Sequence, residues 1–380
     1  MKLTILKHWL NEAMQHVSKA INGKNSLPIL SGIKMDVTAQ GVTLTASDID
    51  TTIQATIPAA TEDGAQIVTV DEPGSVVLPA KLLVEMIKKL PKEEVHIETE
   101  VGFAALLKSG KTKINMVGMD PEEFPAVPAL TEERSFTIAG SDIRDMIRET
   151  VFAVSTQETS PILTGVLWQL EPSKLTLLAT DRHRLAQTAA EVGDGDNALI
   201  KFVVSGKMLT ELNKVIADDS GDVEITATQS QVLFKVGRTR LYCRILDGTY
   251  PDTSKIIPTA FKSELVVSTK AINAAIDRAF LLAREEKTNI VRLETGEDNA
   301  VTVSSNSSGL GSVSEQLEAE SITGEPVRIS FNSKYMLDVL KVIDSEQLRI
   351  GFTGPMSPII IKPVDGKDSL YLILPYRTTN

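Results

Sequence analysis

Pro28-Ile29-Leu30-Ser31-Gly32 recurs as Pro161-Ile162-Leu163-Thr164-Gly165, 133 positions later, and this repetition decides the fold. At the same offset, Val42-Thr43-Leu44-Thr45-Ala46-Ser47-Asp48 recurs as Leu175-Thr176-Leu177-Leu178-Ala179-Thr180-Asp181. Lys81-Leu82-Leu83-Val84-Glu85-Met86 matches Lys207-Met208-Leu209-Thr210-Glu211-Leu212, and then Lys334-Tyr335-Met336-Leu337-Asp338-Val339. Met119-Asp120 ahead of Phe124-Pro125 matches Leu246-Asp247 ahead of Tyr250-Pro251. Three copies account for the 380 residues. Their period far exceeds the roughly 20–50 residues of a solenoid repeat, so each copy is expected to be a domain. The expected bounds are 1–128, 135–258 and 264–380. Between them lie Ala129-Leu130-Thr131-Glu132-Glu133-Arg134 and Thr259-Ala260-Phe261-Lys262-Ser263, joints short enough to hold neighbours closely.

Each copy reads as strand, helix, several strands, helix, more strands. The first helix of the chain has apolar residues at Leu10, Met14, Val17 and Ile21, a helical spacing. Its counterparts run from about Ser141 to Ala153 and from Thr269 to Arg284. The second helices keep one apolar face through Leu83 with Leu90, Leu209 with Ile216 and Met336 with Ile343. Strands alternate, as in Val95-His96-Ile97-Glu98 and Val223-Glu224-Ile225-Thr226. The expected fold class is α+β: three tandem similar domains, each with two helices packed on antiparallel sheets.

Composition excludes several classes. The lone Cys243 rules out a disulfide framework or thiolate cluster and suits a reducing, cytoplasmic setting. No run approaches the ~18 apolar residues of a membrane span. Aromatics at 4% fit no stacking platform for single strands. The formal charge of −11 argues, as an average, against nucleic acid. Its distribution argues otherwise. The six predicted helices hold fourteen Lys and Arg against eight Asp and Glu, an excess of six over a body carrying −17. If the helices share one surface, that surface is a basic stripe that meets phosphates without reading bases. Twelve helices at ~10 Å spacing would enclose an opening of ~27 Å, and six only ~9 Å, so encircling a duplex needs two chains.

An enzyme reading finds little support. His8, His16, His96 and His183 lack metal-ligand spacing, and neither a nucleophile elbow nor a phosphate-cradling Gly loop occurs. Asp194-Gly195-Asp196-Asn197 lacks the Glu that a calcium loop requires. Thr180-Asp181-Arg182-His183 could pass for an acid–base cluster, but the first copy has Ser47-Asp48-Ile49-Asp50 in its place. A strand end specialised once for binding explains that difference better. No catalytic residue, metal or cofactor is expected. A peptide-binding scaffold that never touches DNA is the other alternative.

The repeats closely resemble the bacterial DNA polymerase III sliding clamp (beta subunit) family over essentially the whole chain. The resemblance is carried by Leu27-Pro28-Ile29-Leu30, Thr180-Asp181-Arg182-His183-Arg184-Leu185-Ala186 and Leu246-Asp247-Gly248-Thr249-Tyr250-Pro251-Asp252. Phe331-Asn332-Ser333-Lys334-Tyr335-Met336-Leu337-Asp338 and Leu374-Pro375-Tyr376-Arg377 complete it. It implies a non-catalytic head-to-tail homodimer, a ring that encircles double-stranded DNA without sequence specificity. It also implies partners: the DNA polymerase III alpha subunit, other polymerases, the clamp loader, and mismatch-repair and other proteins with clamp-binding peptides. Such peptides enter a cleft between the second and third domains. By matching motif the cleft includes Leu163, Thr180, His183, Arg184, Leu185, Pro251, Lys255 and Ile256. The third domain adds Asn332, Tyr335, Met356, Leu372, Ile373, Leu374, Pro375, Tyr376 and Arg377. Aliphatic walls would take partner side chains while Arg184 and Arg377 fix carbonyls or carboxylates. For DNA, the resemblance points to Lys24 and Gln157 in loops, and the helix charges point to Lys7, Lys19, Lys88, Lys207, Lys214 and Arg278. The sequence departs from some members of the family at Arg182, where Gly is common, at Thr288, where an aromatic can line the cleft, and in Thr378-Thr379-Asn380 after Arg377. The Leu281-Leu282 end of the third domain's first helix is expected either to pack against the first domain for dimerisation or to lie in the ordinary core.

Overall fold

The computed structural model describes residues 1–21, 27–127, 130, 134–157, 159–193, 199–216, 221–307 and 309–377, with the side chain of Arg134 excepted. Lys24, the Asp194–Asn197 stretch, the joint after Pro128 apart from Leu130 and Arg134, and Thr378-Thr379-Asn380 lie outside the described residues. The chain forms two compact units, Met1–Ser141 with Glu211–Ile245, and Asp142–Thr210 with Leu246–Asn380. The middle copy of the repeat supplies strands to a sheet in each unit.

Among the described residues there are six α-helices: α1 Lys7–Val17, α2 Ala80–Lys89, α3 Gly140–Thr150, α4 Gly206–Val215, α5 Thr269–Glu285 and α6 Ser333–Leu340. Each buries the face that its sequence period marks, as α1 does with Leu10, Ala13, Met14 and Val17. In the third copy the ends are capped. The Ser268 hydroxyl accepts the Ala271 N–H before α5, and the Asn332 side chain accepts the Lys334 N–H before α6. Two helices stop earlier than their periodicity suggests. α1 gives way to a tighter turn over Ser18–Ala20, and α6 ends at Leu340, which leaves Lys19 and Lys341 beyond the helices. α5 in turn takes in Glu285. The observed helices therefore hold twelve Lys and Arg against nine Asp and Glu, an excess of three instead of six.

Among the described residues all strand pairing is antiparallel. The first unit holds a five-stranded sheet, Val68–Glu72, Lys2–Leu6, Glu94–Thr99, Ala104–Ser109 and Thr112–Val117 in spatial order. Its eight-stranded sheet joins two copies of the repeat where Thr51–Pro58 pairs with Thr239–Arg244, Thr52 opposite Tyr242. In the second unit a nine-stranded sheet is joined the same way. Arg184–Glu191 pairs with Ser369–Ile373, placing Arg184 opposite Ile373 and Leu185 opposite Leu372. A four-stranded sheet of Gly311–Glu318, Ala300–Ser307, Ile290–Thr295 and Arg328–Asn332 completes that unit. The glycine that ends the repeated Pro-Ile-Leu motif has a packing reason. A Cβ on Gly32 would meet Val77 Cγ1 at 2.4 Å, and one on Gly165 would meet Val203 Cγ1 at 2.6 Å.

Candidate functional site

In the second unit the strand Lys174–Thr180 passes into Arg184–Glu191 through a tight turn. Asp181 closes it: its Oδ1 accepts the N–H groups of His183 and Arg184, each at 2.9 Å. Thr180 Oγ1 donates to the Arg184 carbonyl at 2.7 Å and accepts the Arg182 N–H at 3.2 Å. Arg182 has φ +77°, a left-handed conformation that costs a residue with a side chain ~1–2 kcal/mol and that Gly adopts freely. That geometry accounts for a Gly being at home there. Here the Arg182 guanidinium donates to Ser160 Oγ at 2.7 Å.

Arg184 is the hub. Its Nε donates to Asp181 Oδ2 at 3.1 Å, Nη1 to Asp338 Oδ2 at 2.7 Å, and Nη2 to the Phe152 carbonyl at 2.6 Å. Its Cζ lies 4.6 Å from the centre of the Tyr335 ring and 5.4 Å from that of Phe152. His183 stacks on Tyr335, ring centres 6.3 Å apart at 20°. Burial and the neighbouring Asp181 charge push the Tyr335 phenol up, against a smaller opposing pull from Arg184, so it stays neutral at ordinary pH. The sequence expectation gave Arg184 to peptide carbonyls or carboxylates; in the structure three of its edges are taken by the protein's own acceptors.

The remaining cleft candidates separate by burial. Leu163, Thr180, Leu185, Leu372 and Ile373 are buried and belong to the core. Leu185 and Leu372 share a core cluster with Leu178 and Ile360, against which Tyr250, Ile257 and Phe261 pack. Burial pushes the Tyr250 phenol up, and its oxygen accepts the Thr180 N–H at 3.1 Å. His183, Pro251, Lys255, Ile256, Met356, Leu374, Tyr376 and Arg377 are exposed; Arg184, Asn332, Tyr335 and Pro375 are half-buried. Four of the exposed set are large apolar side chains: Ile256, Met356, Leu374 and Tyr376. Ile256 precedes Ile257 of the cluster, and Met356 shortly precedes Ile359, which pairs with Ile373. The Leu374 N–H donates to the His183 carbonyl at 2.9 Å, and the Tyr376 N–H to the Ser330 carbonyl at 2.7 Å. Thr288 is exposed, its hydroxyl donating to the Ala283 carbonyl at 3.5 Å.

The basic candidates are less uniform. Lys88, Lys207 and Lys214 are exposed, as is Gln157, but Lys214 pairs with Glu211 at 2.8 Å. Lys7 donates to the Leu90 carbonyl at 3.1 Å. Lys19 is half-buried, and burial pulls its ammonium down, against the raising effect of Glu211. Arg278 is held by both oxygens of Glu315, at 2.7 and 2.5 Å. Sequence reasoning passed over Phe152 and Asp338 as site residues. Asp338 was nonetheless within reach of it, because Tyr335 and Asp338 are three apart on α6 and so share a face. Among the described residues no group of three His, Cys, Asp or Glu is arranged to hold a metal ion, and no helix is long and apolar enough to cross a membrane.

Comparison with known proteins accounts for the chain in three consecutive parts. Residues 1–128, 137–252 and 254–377 match the N-terminal, central and C-terminal domains of the DNA polymerase III beta subunit. The beta sliding clamp of Bacillus subtilis (strain 168) is 43% identical over 378 residues, covering 100% of both chains. That of Halalkalibacterium halodurans is 42% identical over 367 residues, 96% of each. Among solved structures, the DNA polymerase sliding clamp from Bacillus subtilis superposes with a TM-score of 0.97 over 100% of both chains, at 43% identity.

Proposed function

The chain belongs to the DNA polymerase III beta-subunit family, the beta sliding clamps, and on that premise we propose how its residues divide the work. It is a sliding clamp of DNA replication and not an enzyme, and it works as a dimeric ring with DNA and DNA polymerase as partners. The observation that carries this is the match of all three clamp domains, in order, along the whole chain.

The finer reading is as follows. Domains span 1–128, 135–258 and 264–380, and two protomers close head to tail around duplex DNA in the cytoplasm. The helices face the phosphates through Lys88, Lys207 and Lys214, with Lys7, Lys19, Lys24, Gln157 and Arg278 as the further candidates for contact with DNA. Partner peptides, from the polymerase III alpha subunit, other polymerases, the clamp loader and mismatch-repair proteins, bind the second unit. Their apolar side chains rest on Ile256, Met356, Leu374 and Tyr376 above the Leu185–Leu372 floor. What supports this is that these exposed apolar side chains lie on segments that adjoin the Leu185–Leu372 cluster or are hydrogen-bonded to the Asp181 turn. Lys255 and Arg377, both exposed, meet acidic groups at the rim. The test is fluorescence anisotropy with a labelled clamp-binding peptide of the polymerase III alpha subunit. Leu374→Asp and Tyr376→Asp should each weaken binding at least tenfold; wild-type affinity in both variants places the cleft elsewhere.

A further inference from the structure

Three edges of the Arg184 guanidinium point in different directions and each has a partner, Asp181, Asp338 and the Phe152 carbonyl. A planar group fixed on three edges has no freedom left except through its faces. Tyr335 covers one face at 4.6 Å and in turn carries the stacked His183, whose carbonyl takes the Leu374 N–H. One side chain thus ties together the turn, α6 and the end of the chain.

The first unit supplies an internal control. Its turn Asp48-Ile49-Asp50-Thr51 repeats the frame: Asp48 Oδ1 accepts the N–H groups of Asp50 at 2.9 Å and Thr51 at 2.6 Å. The Arg244 N–H donates to the Asp50 carbonyl at 2.9 Å, as Leu374 does to His183. Thr51 stands where the second unit has Arg184, so that position of the turn carries a hydroxyl in place of a guanidinium. In the repeat, Met208 stands for Tyr335 and Glu211 for Asp338, and Glu211 pairs with Lys214 on its own helix. What Arg184 adds is its link to Asp338, Phe152 and Tyr335.

We infer that Asp338 is a positioning residue of the cleft: by holding Nη1 of Arg184 it sets the guanidinium against Tyr335 and fixes the Tyr335–His183 wall before a peptide arrives. This rests on the cleft reading above. The side chains of Arg184, Asp181 and Asp338 are only 11%, 14% and 21% exposed, so the link is shielded from water. Lys341 Nζ lies 3.6 Å from the other Asp338 oxygen. Two carboxylates and two cations balance within the link, and peptide carboxylates are left to Lys255 and Arg377. Partner selection at Arg184 is therefore by shape and stacking.

The test uses the full-length protein and a fluorescein-labelled clamp-binding peptide of the polymerase III alpha subunit, with stopped-flow association alongside equilibrium anisotropy. Asp338→Asn keeps the shape of the side chain but weakens the charge-assisted bond. It should cut affinity three- to tenfold, and the loss should fall on the association rate, because a wall that is no longer preset must order on binding. Asp338→Ala and Arg184→Ala should each cost at least tenfold, and the double variant no more than the worse single. Additive losses, or a loss confined to dissociation of the bound peptide, would overturn the positioning role. Should Asp338→Ala fail to fold, Asp338→Asn alone decides. Leu374→Asp in the same titration separates the two readings. Weak binding there with wild-type binding by Asp338→Asn overturns the positioning role alone. Wild-type binding by both overturns the cleft and the role together.

Discussion

Leu185 shows how burial redistributes the sequence motifs. It is 1% exposed and packs with Leu178, Ile360 and Leu372, so it is a core residue beneath the proposed cleft. Leu185→Ala is expected to destabilise the fold by about 2–5 kcal/mol in urea unfolding, whatever it does to peptide affinity; unchanged stability would mean that the cluster collapses around the gap. His16 makes a second case. Its Nδ1 is 3.1 Å from Thr239 Oγ1, and burial first, then Lys19, pulls its imidazole below the ordinary value, with Glu12 opposing. Folding lowers the pH at which His16 takes up a proton, whereas the unfolded chain takes it up below about pH 6.5. Stability must therefore fall as pH drops below that value. Urea midpoints of wild type and His16→Gln between pH 7.5 and 5.5 should diverge, wild type losing more; parallel curves would contradict the assignment.

Among the elements, the helices were legible because their apolar residues recur at 3.6-residue spacing, and the domain repeat was legible because whole motifs return in the same order at offsets of 126 to 133 residues. The helix ends were less so, since a tighter turn over Ser18–Ala20 keeps the apolar rhythm of α1 while abandoning its geometry. The turn at Asp181 could be read locally, each of its bonds spanning a few residues. The partners of Arg184 could not: Asp338 is 154 residues away and Phe152 32, and no local pattern encodes such a pairing. The same is true of Arg278, a basic candidate in sequence and an ion-pair partner of Glu315 in the fold. One long-range pair gives an element-scale prediction. Arg148 of α3 donates to Asp344, just beyond α6, and this bond is the first cause that holds the Asp344 carboxyl below the usual carboxylate range. Its contribution is present above about pH 4 and is lost as pH falls through the lowered value. Because the two side chains are 33% and 59% exposed, a double-mutant cycle of Arg148→Gln with Asp344→Asn should give a coupling under about 1 kcal/mol at pH 7; a larger value would show that the pair is shielded from solvent.

For the whole molecule, net charge proved a poor guide and its placement a better one. The chain carries −11, yet its helices keep a basic excess, reduced from six to three once their observed ends are used. With Lys214 and Arg278 partly neutralised by Glu211 and Glu315, contact with phosphates should be weak and strongly screened by salt, which suits movement along DNA. Closure of the ring is proposed to use the Leu281-Leu282 end of α5. Leu281 is 53% exposed, so Leu281→Asp should spare the fold while shifting sedimentation from dimer to monomer; a variant that sediments as wild type would move the interface elsewhere. Retention of DNA by surrounding it is the topological property on which the proposed clamp action rests. It is tested by loading the protein onto a nicked circular plasmid, isolating the complex, and then cutting the circle once. The clamp should remain through gel filtration on the uncut circle and leave the linear DNA; equal retention on both would contradict the account.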